Sequence, residues 1–266
     1  MRPQILFPLF APIGSLKGVG PKIEPLVEKV AGPLVRDLIF TLPHGLIRRP
    51  PAQAISAVEG EVQTLTVHIE AHLPPARAGL PYRIRTFDDT GFVSLVFFKG
   101  GGPHLLRQHP PGAQRVVSGK VERFGVETQI IHPDYILPPE RGLEIPEVEA
   151  VYPATAGLSS RILRKLALEA LERAPELPEW QDPAWVKREG LPTWREALER
   201  AHHPQSEADL SPASAARRRL AYDELFAHQL AMAERKAARR RHPGPRASAS
   251  ATADALVAAL DRKSVV

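Results

Sequence analysis

Phe97 and Phe98, at the end of the alternating stretch Val93-Ser94-Leu95-Val96-Phe97-Phe98-Lys99, are the residues best placed to do binding chemistry in this 266-residue sequence. Neighbouring strand residues point to opposite faces, so one ring enters a core and the other faces outward. By alternation with Val93 and Leu95, Phe97 is the core residue. Phe98 then either stacks on a base, worth about 1–3 kcal/mol where such stacking occurs, or packs under the following loop. Arg83, Arg85, Lys99, Lys120 and Arg123 could line the same face and meet phosphates. Residues 60–137 carry eight Lys/Arg and seven Asp/Glu, so a solvated mixed-charge face is the competing reading for each of them. Nearer the start, Leu16-Lys17-Gly18-Val19-Gly20-Pro21-Lys22 has the look of a helix-hairpin-helix turn. Lys17, Gly18, Gly20 and Lys22 there could contact phosphate through turn amides and ammonium groups. A plain turn between packed helices fits the same residues.

Catalytic chemistry finds no such footing. Gly119-Lys120 has the end of a phosphate-binding loop but not its frame: Gln114 stands where the first Gly belongs, and Val121 where a Ser or Thr should follow the Lys. Asp223-Glu224 reads as a solvated helical face. His202 and His203 are helix neighbours about 100° apart with no evident third ligand. No Ser-His-Asp arrangement stands out, and with no cysteine there is no thiolate catalysis and no Cys-ligated zinc. The expectation is no catalytic residue and no metal ligand.

The elements that must position these groups are legible from periodicity. Leu65, Val67 and Ile69 alternate with polar residues, as do Tyr82, Ile84 and Thr86, and Val93, Leu95 and Phe97. Asp88-Asp89-Thr90-Gly91 is a turn, and Leu73 to Pro81 a longer loop. A short helix near 103–109 precedes two more strands, near 114–122 and 127–137. Three strands, a helix and two strands is the order of an OB barrel, a fold that commonly binds single-stranded nucleic acid or oligosaccharide.

Around the barrel the fold class is α+β. Residues 1–58 form an N-terminal helical region, with a helix through Ile23, Leu26, Val27 and Val30, another through Leu34, Leu38 and Leu42, and an extended linker over 46–60. Residues 59–140 form the OB barrel. Residues 141–242 form a helical linker region: Leu158 to Leu171 is an amphipathic helix, 193–201 a shorter one and 213–241 a long basic one. Residues 243–266 read as a flexible tail.

The formal net charge of +5 is local. Residues 213–242 hold eight Lys/Arg and three Asp/Glu, while the rest balances at 27 of each sign. That argues for a local anionic contact. No apolar run approaches the roughly 18 residues of a membrane span, and prolines break the start too early for a persuasive signal peptide. No membrane partner and a cytoplasmic location are expected.

Several short motifs in order carry a resemblance. They include Leu16 to Lys22, Asp88-Asp89-Thr90-Gly91, Val96-Phe97-Phe98, Ser118-Gly119-Lys120, His132-Pro133-Asp134-Tyr135, Val151-Tyr152-Pro153, His202-His203-Pro204 and Arg217 to Leu225. Together, over residues 1 to about 260, the chain resembles the N-terminal half of the RecG family of bacterial ATP-dependent branched-DNA helicases. The resemblance implies that the OB barrel is a wedge at the branch point of a stalled fork or Holliday junction, acting in fork reversal, branch migration, repair and recombination. It implies that Phe98 is the junction-stacking aromatic. A second aromatic, four residues on in some members, is Gly102 here. Forked or Holliday-junction DNA is the implied partner, beside a single-stranded-DNA-binding protein. ATP and magnesium would belong to a motor that the resemblance places after this sequence, so this chain is expected to hold no cofactor and to catalyse nothing alone. The alternatives are a protein-interaction module and a truncated remnant without function.

Overall fold

The computed structural model describes residues 3–77, 79–98 and 102–241. Lys99 and the 243–266 tail lie outside the described residues. The chain divides into two compact units, residues 1–219 and 220–266.

The barrel forms as the alternation predicts. Strands β3 (Val62–Leu73), β4 (Tyr82–Asp88), β5 (Gly91–Phe97), β7 (Glu127–Ile131) and β6 (Gln114–Phe124) are neighbours in that order, and β3 pairs again with β6 to close the wall. Helix α3 (Gly102–Gln108) lies between β5 and β6 in sequence. β3 can serve two partners because it is long and bulged. Val62 to His68 pair with β6, His68 to Leu73 pair with β4, and the register slips between Ile69 and Ala71. Inside, Leu65, Val67, Ile69, Ile84, Val93, Leu95, Val117, Val121 and Ile130 make the buried core.

The expected last strand, 127–137, is two strands. β7 pairs parallel with β5, and β8 (Tyr135–Leu137) pairs with β6. The break is at His132, whose φ is +46°, followed by Pro133, which has no N–H to give the ladder. Gly119 sits at the crossing. A Cβ there would lie 2.6 Å from Ile130 Cγ2 and 3.2 Å from the Pro133 Cα, so only glycine lets the strands approach. The apparent fragment of a phosphate loop is a close-packing site in a strand.

The linker expected over 46–60 is extended but paired. β1 (Gly45–Arg48) pairs antiparallel with β9 (Val148–Val151), and β2 (Pro51–Ala52) pairs with β3. Short strands from residues 100 positions apart leave no local pattern, which is why the sequence reading missed them. The N-terminal region is helical in short pieces: 3-10 turns over Gln4–Phe10 and Ile13–Ser15, then α1 (Glu24–Val30) and α2 (Val35–Ile39). The following helices are α4 (Ser160–Glu172), α5 (Pro183–Glu189), α6 (Trp194–His202), α7 (Glu207–Leu210) and α8 (Ala215–Arg241). α5 and α7 were not foreseen. Among the described residues no helix is long and apolar enough to cross a membrane.

Arg49 ties the barrel to the β1–β9 ribbon. It is 3% exposed. Its guanidinium donates to Glu149 Oε2 at 2.7 and 3.0 Å, to Asp134 Oδ2 at 2.9 Å and to Ser118 Oγ at 3.1 Å. Two carboxylates and a hydroxyl, from β9, the β7–β8 turn and β6, thereby compensate a buried cation.

The basic segment is less free than its charge suggested. Arg219 is fully buried and donates to Glu179 at 2.6 and 2.8 Å and to the Pro192 carbonyl at 3.0 Å. Arg218 meets Glu189 at 3.0 Å. Within the first arginine triplet, Arg219 therefore builds the fold, and Arg218 stays exposed in its ion pair. Arg239 and Arg240, at the far end of α8, are exposed.

His202 is a structural histidine. Tyr152 O–H donates to its Nδ1 at 2.7 Å, and its Nε2–H donates to the Ile39 carbonyl at 2.8 Å, joining α6 to β9 and α2. Desolvation lowers its pKa to about 4, and burial followed by the Arg115 charge does the same to His109.

Two predictions follow from these buried polar groups. Arg49→Ala strands Glu149 in a dry site and should cost about 3–5 kcal/mol. Urea denaturation reads this directly, and a loss under about 1 kcal/mol would remove Arg49 as the tie. The histidines set an acid limb. Both are neutral when folded, and the unfolded chain binds more protons between pH 6.5 and about 4. Their stabilisation is full above pH 6.5 and is lost as pH falls toward 4, by up to about 3 kcal/mol for His202. Denaturation at pH 7, 5.5 and 4.5 should show this slope, flattened in His202→Gln; an unchanged slope would exclude His202 as its source.

Candidate nucleic-acid interface

Strand β5 delivers Phe97 and Phe98 to one end of the barrel. Phe97 pairs with Tyr82 across β4 and packs against the barrel core. Phe98 follows the strand and is 57% exposed. The alternation therefore sorts the two rings as the sequence predicts. Two contacts hold the main chain there: the His132 N–H donates to the Val96 carbonyl at 2.9 Å, and the Phe98 N–H to His132 Nε2 at 3.3 Å. The His132 ring lies 6.1 Å from that of Phe98 and 6.0 Å, edge-on, from that of Phe97.

Gly102 has a local cause. A Cβ at that position would lie 2.5 Å from Tyr82 Cε2, a contact no side chain tolerates without movement. Tyr82 is buried, and its hydroxyl pairs with His72 Nδ1 at 2.8 Å. A ring from β4 thus occupies the space at the start of α3.

The predicted cations do not form one cluster. Arg83 and Arg85 share the outer face of β4. Lys120 and Arg123 are on β6, which is not a neighbour of β4 in the sheet, although Arg83 reaches toward Phe124 at the end of β6. Lys120 and Arg123 are exposed. The Arg123 guanidinium reaches the Ala57 carbonyl at 3.5 Å. Arg83 meets Glu127 at 3.4 Å and Arg85 meets Glu70 at 2.8 Å. Such exposed pairs are worth roughly 0–1 kcal/mol, so an incoming phosphate could displace either carboxylate.

Arg85 also lies over the ring of Phe92, 4.5 Å from its centroid, and Arg83 lies 5.9 Å from that of Phe124. Phe92 is 54% exposed. Leu73, Arg83, Arg85, Phe92, Val126 and Glu127 line a groove of about 390 Å³ here. Sequence reading named the arginines but missed Phe92 and Phe124, although both fall on outward positions of the strand alternation.

The hairpin turn has the expected backbone: Gly18 has φ +89°, and the Ile23 and Glu24 amides both donate to the Gly20 carbonyl. Its role is already partly assigned. The Lys17 N–H donates to Glu169 Oε1 at 2.7 Å, so a carboxylate of α4 already occupies that turn amide. Arg173, at the C-terminal cap of α4, also grips the Ser15 carbonyl and hydroxyl. Nothing lies within 4 Å of the Cβ positions of Gly18 and Gly20, and the Lys22 side chain is exposed. Among the described residues no group of three or more His, Asp or Glu could hold a metal.

Comparison with known proteins follows the same line. No family model matches the chain. The ATP-dependent DNA helicase RecG of Escherichia coli O127:H6 (strain E2348/69 / EPEC) is 29% identical over 271 residues, covering 95% of this chain and 37% of the relative. The RecG of Pasteurella multocida (strain Pm70) is 30% identical over 252 residues, covering 83% of this chain and 33% of the relative. A solved structure of RecG bound to a three-way DNA junction matches with a TM-score of 0.68 at 23% identity, over 95% of this chain and 35% of that one. That likeness establishes the shared fold. The chain spans little more than a third of the length of these relatives.

The two aromatics should separate in a melt. Phe97→Ala empties a core-edge site and should cost about 3 kcal/mol, whereas Phe98→Ala should stay within about 0.5 kcal/mol of the parent. A reversed order would invert the assignment of faces.

Proposed function

Taking as its premise the chain's homology to the N-terminal portion of RecG, we propose that it is a DNA-binding wedge that grips branched DNA at the barrel end carrying Phe98. The observation that carries this reading is an aromatic ring, 57% exposed, at the rim of an OB barrel. Its place at the strand end, beside the His132 ring, leaves its face open to a base. Forked or Holliday-junction DNA is the substrate class, and fork reversal, branch migration, repair and recombination are the processes it would serve.

On this reading residues 59–140 are the wedge domain, flanked by an N-terminal helical region over 1–58 and a helical linker over 141–242. Phe98 and Lys99 meet the branch, Arg83, Arg85, Lys120 and Arg123 meet backbone phosphates, and Lys22 with the Gly18–Gly20 turn meets a duplex arm. The ATP-driven work belongs to the part of the relatives that the match does not reach.

A second reading is peptide docking, for example by the tail of a single-stranded-DNA-binding protein. It is favoured by the groove between Leu73, Phe92 and Val126, which sets apolar surface beside Arg83 and Arg85. Salt separates the two, because phosphate contacts weaken steeply with ionic strength.

Titration of forked and linear duplex DNA at several salt concentrations is the test. The fork should bind more tightly, and Phe98→Ala should weaken it by about 1–3 kcal/mol while sparing the linear duplex. Equal affinity for the two DNAs would remove the wedge reading. Tight binding of an acidic peptide with no DNA binding would favour docking.

A further inference from the structure

The end of β5 depends on a residue outside the barrel wall. Val93 to Val96 pair in parallel with Thr128 to Ile131. One step on, His132 turns away with φ +46°, a value that no other described non-glycine residue approaches. The left-handed region is uncommon for residues with a side chain, and strain of this kind collects at ligand sites. The turn has a cost for the ladder: β7 ends, and the main chain offers Phe98 no continuing partner. The imidazole supplies one. The Phe98 N–H donates to His132 Nε2, while the His132 N–H returns to the Val96 carbonyl.

A backbone N–H can only donate, so Nε2 must accept, and the imidazole must be neutral with its proton on Nδ1. The rings of His132 and Phe98 stand side by side, both exposed. The direction of the Phe98 ring follows from its backbone, and that backbone is tied here by a side chain in place of a strand.

We propose that His132 is the positioning residue of the DNA-stacking aromatic: its left-handed turn ends the β5–β7 ladder, and its imidazole then holds the Phe98 main chain so that the ring faces outward. This rests on the wedge reading. It adds to that reading a residue whose loss would leave the fold intact and the ring unaimed.

The test uses the full chain, as parent, Phe98→Ala, His132→Gly and the double variant. Glycine adopts φ +46° without strain, which offsets the lost hydrogen bond and ring contact, so His132→Gly should melt within a few degrees of the parent. It should nevertheless weaken binding of forked DNA about three- to tenfold, leave linear duplex unaffected, and add less than about 1.5-fold once Phe98 is alanine. Histidine ¹⁵N spectra at pH 8, with the resonance assigned by its absence in His132→Gly, should show the Nδ1–H tautomer that acceptance from the Phe98 N–H requires; the loss of fork binding that depends on Phe98 is what a merely structural side chain would not produce. If Phe98→Ala weakens the fork and His132→Gly does not, this inference fails and the wedge reading stands. Equal losses from His132→Gly with and without Phe98, or an Nε2–H tautomer, also overturn it. Full fork affinity in Phe98→Ala removes both.

Discussion

One buried cation sets the frame for everything else. Arg49 lies at the point where the chain leaves the β1–β9 ribbon and enters the barrel, and it holds Glu149 of the ribbon together with Asp134 and Ser118 of the barrel. A guanidinium taken out of water demands that all of its partners be present at once. The demand is geometric as well as energetic, because the planar fork accepts carboxylates only in particular directions. The ribbon can therefore meet the barrel in one arrangement. Asp134 follows His132 by two residues, so the same ion pair also anchors the turn on which the exposed aromatic depends.

The helical part of the larger unit uses polar groups in the same way. Arg219 with Glu179, and Tyr152 with His202 and the Ile39 carbonyl, are buried contacts between segments far apart in sequence. Each is satisfied on both sides, which lets it fix an arrangement that apolar burial alone would leave loose. The result reverses a simple view of charge. Of the arginines that make residues 213–242 basic, Arg219 is spent on folding, while Arg218 and the cations at the distal end of α8 are exposed.

The barrel surface joins two kinds of chemistry that are physically separate. At the rim, Phe98 and His132 offer exposed rings. On the outer wall of β4 and β5, Arg83 and Arg85 lie near Phe124 and Phe92, each already paired with a carboxylate. At the start of α3, Tyr82 fills the space that a side chain at Gly102 would need.

The sequence by itself determined the barrel, the inward Phe97 and outward Phe98, and helices α4, α6 and α8, because these follow from local periodicity. A strand must alternate and an amphipathic helix must repeat to bury one face, and both patterns lie within a few turns of chain. The hairpin turn was legible too, since only glycine suits its geometry at Gly18. Tertiary structure alone decided the rest. The β1–β9 pairing, the Arg49 cluster and the burial of Arg219 join residues 40 to 100 positions apart, and nothing local announces them. His132 stood in a motif the sequence reading had singled out, yet its left-handed backbone is imposed by the crossing of β7 and β8 over Gly119. The cations Arg83, Arg85, Lys120 and Arg123 lie on β4 and β6, strands that are not neighbours in the sheet, and no single strand encodes that order.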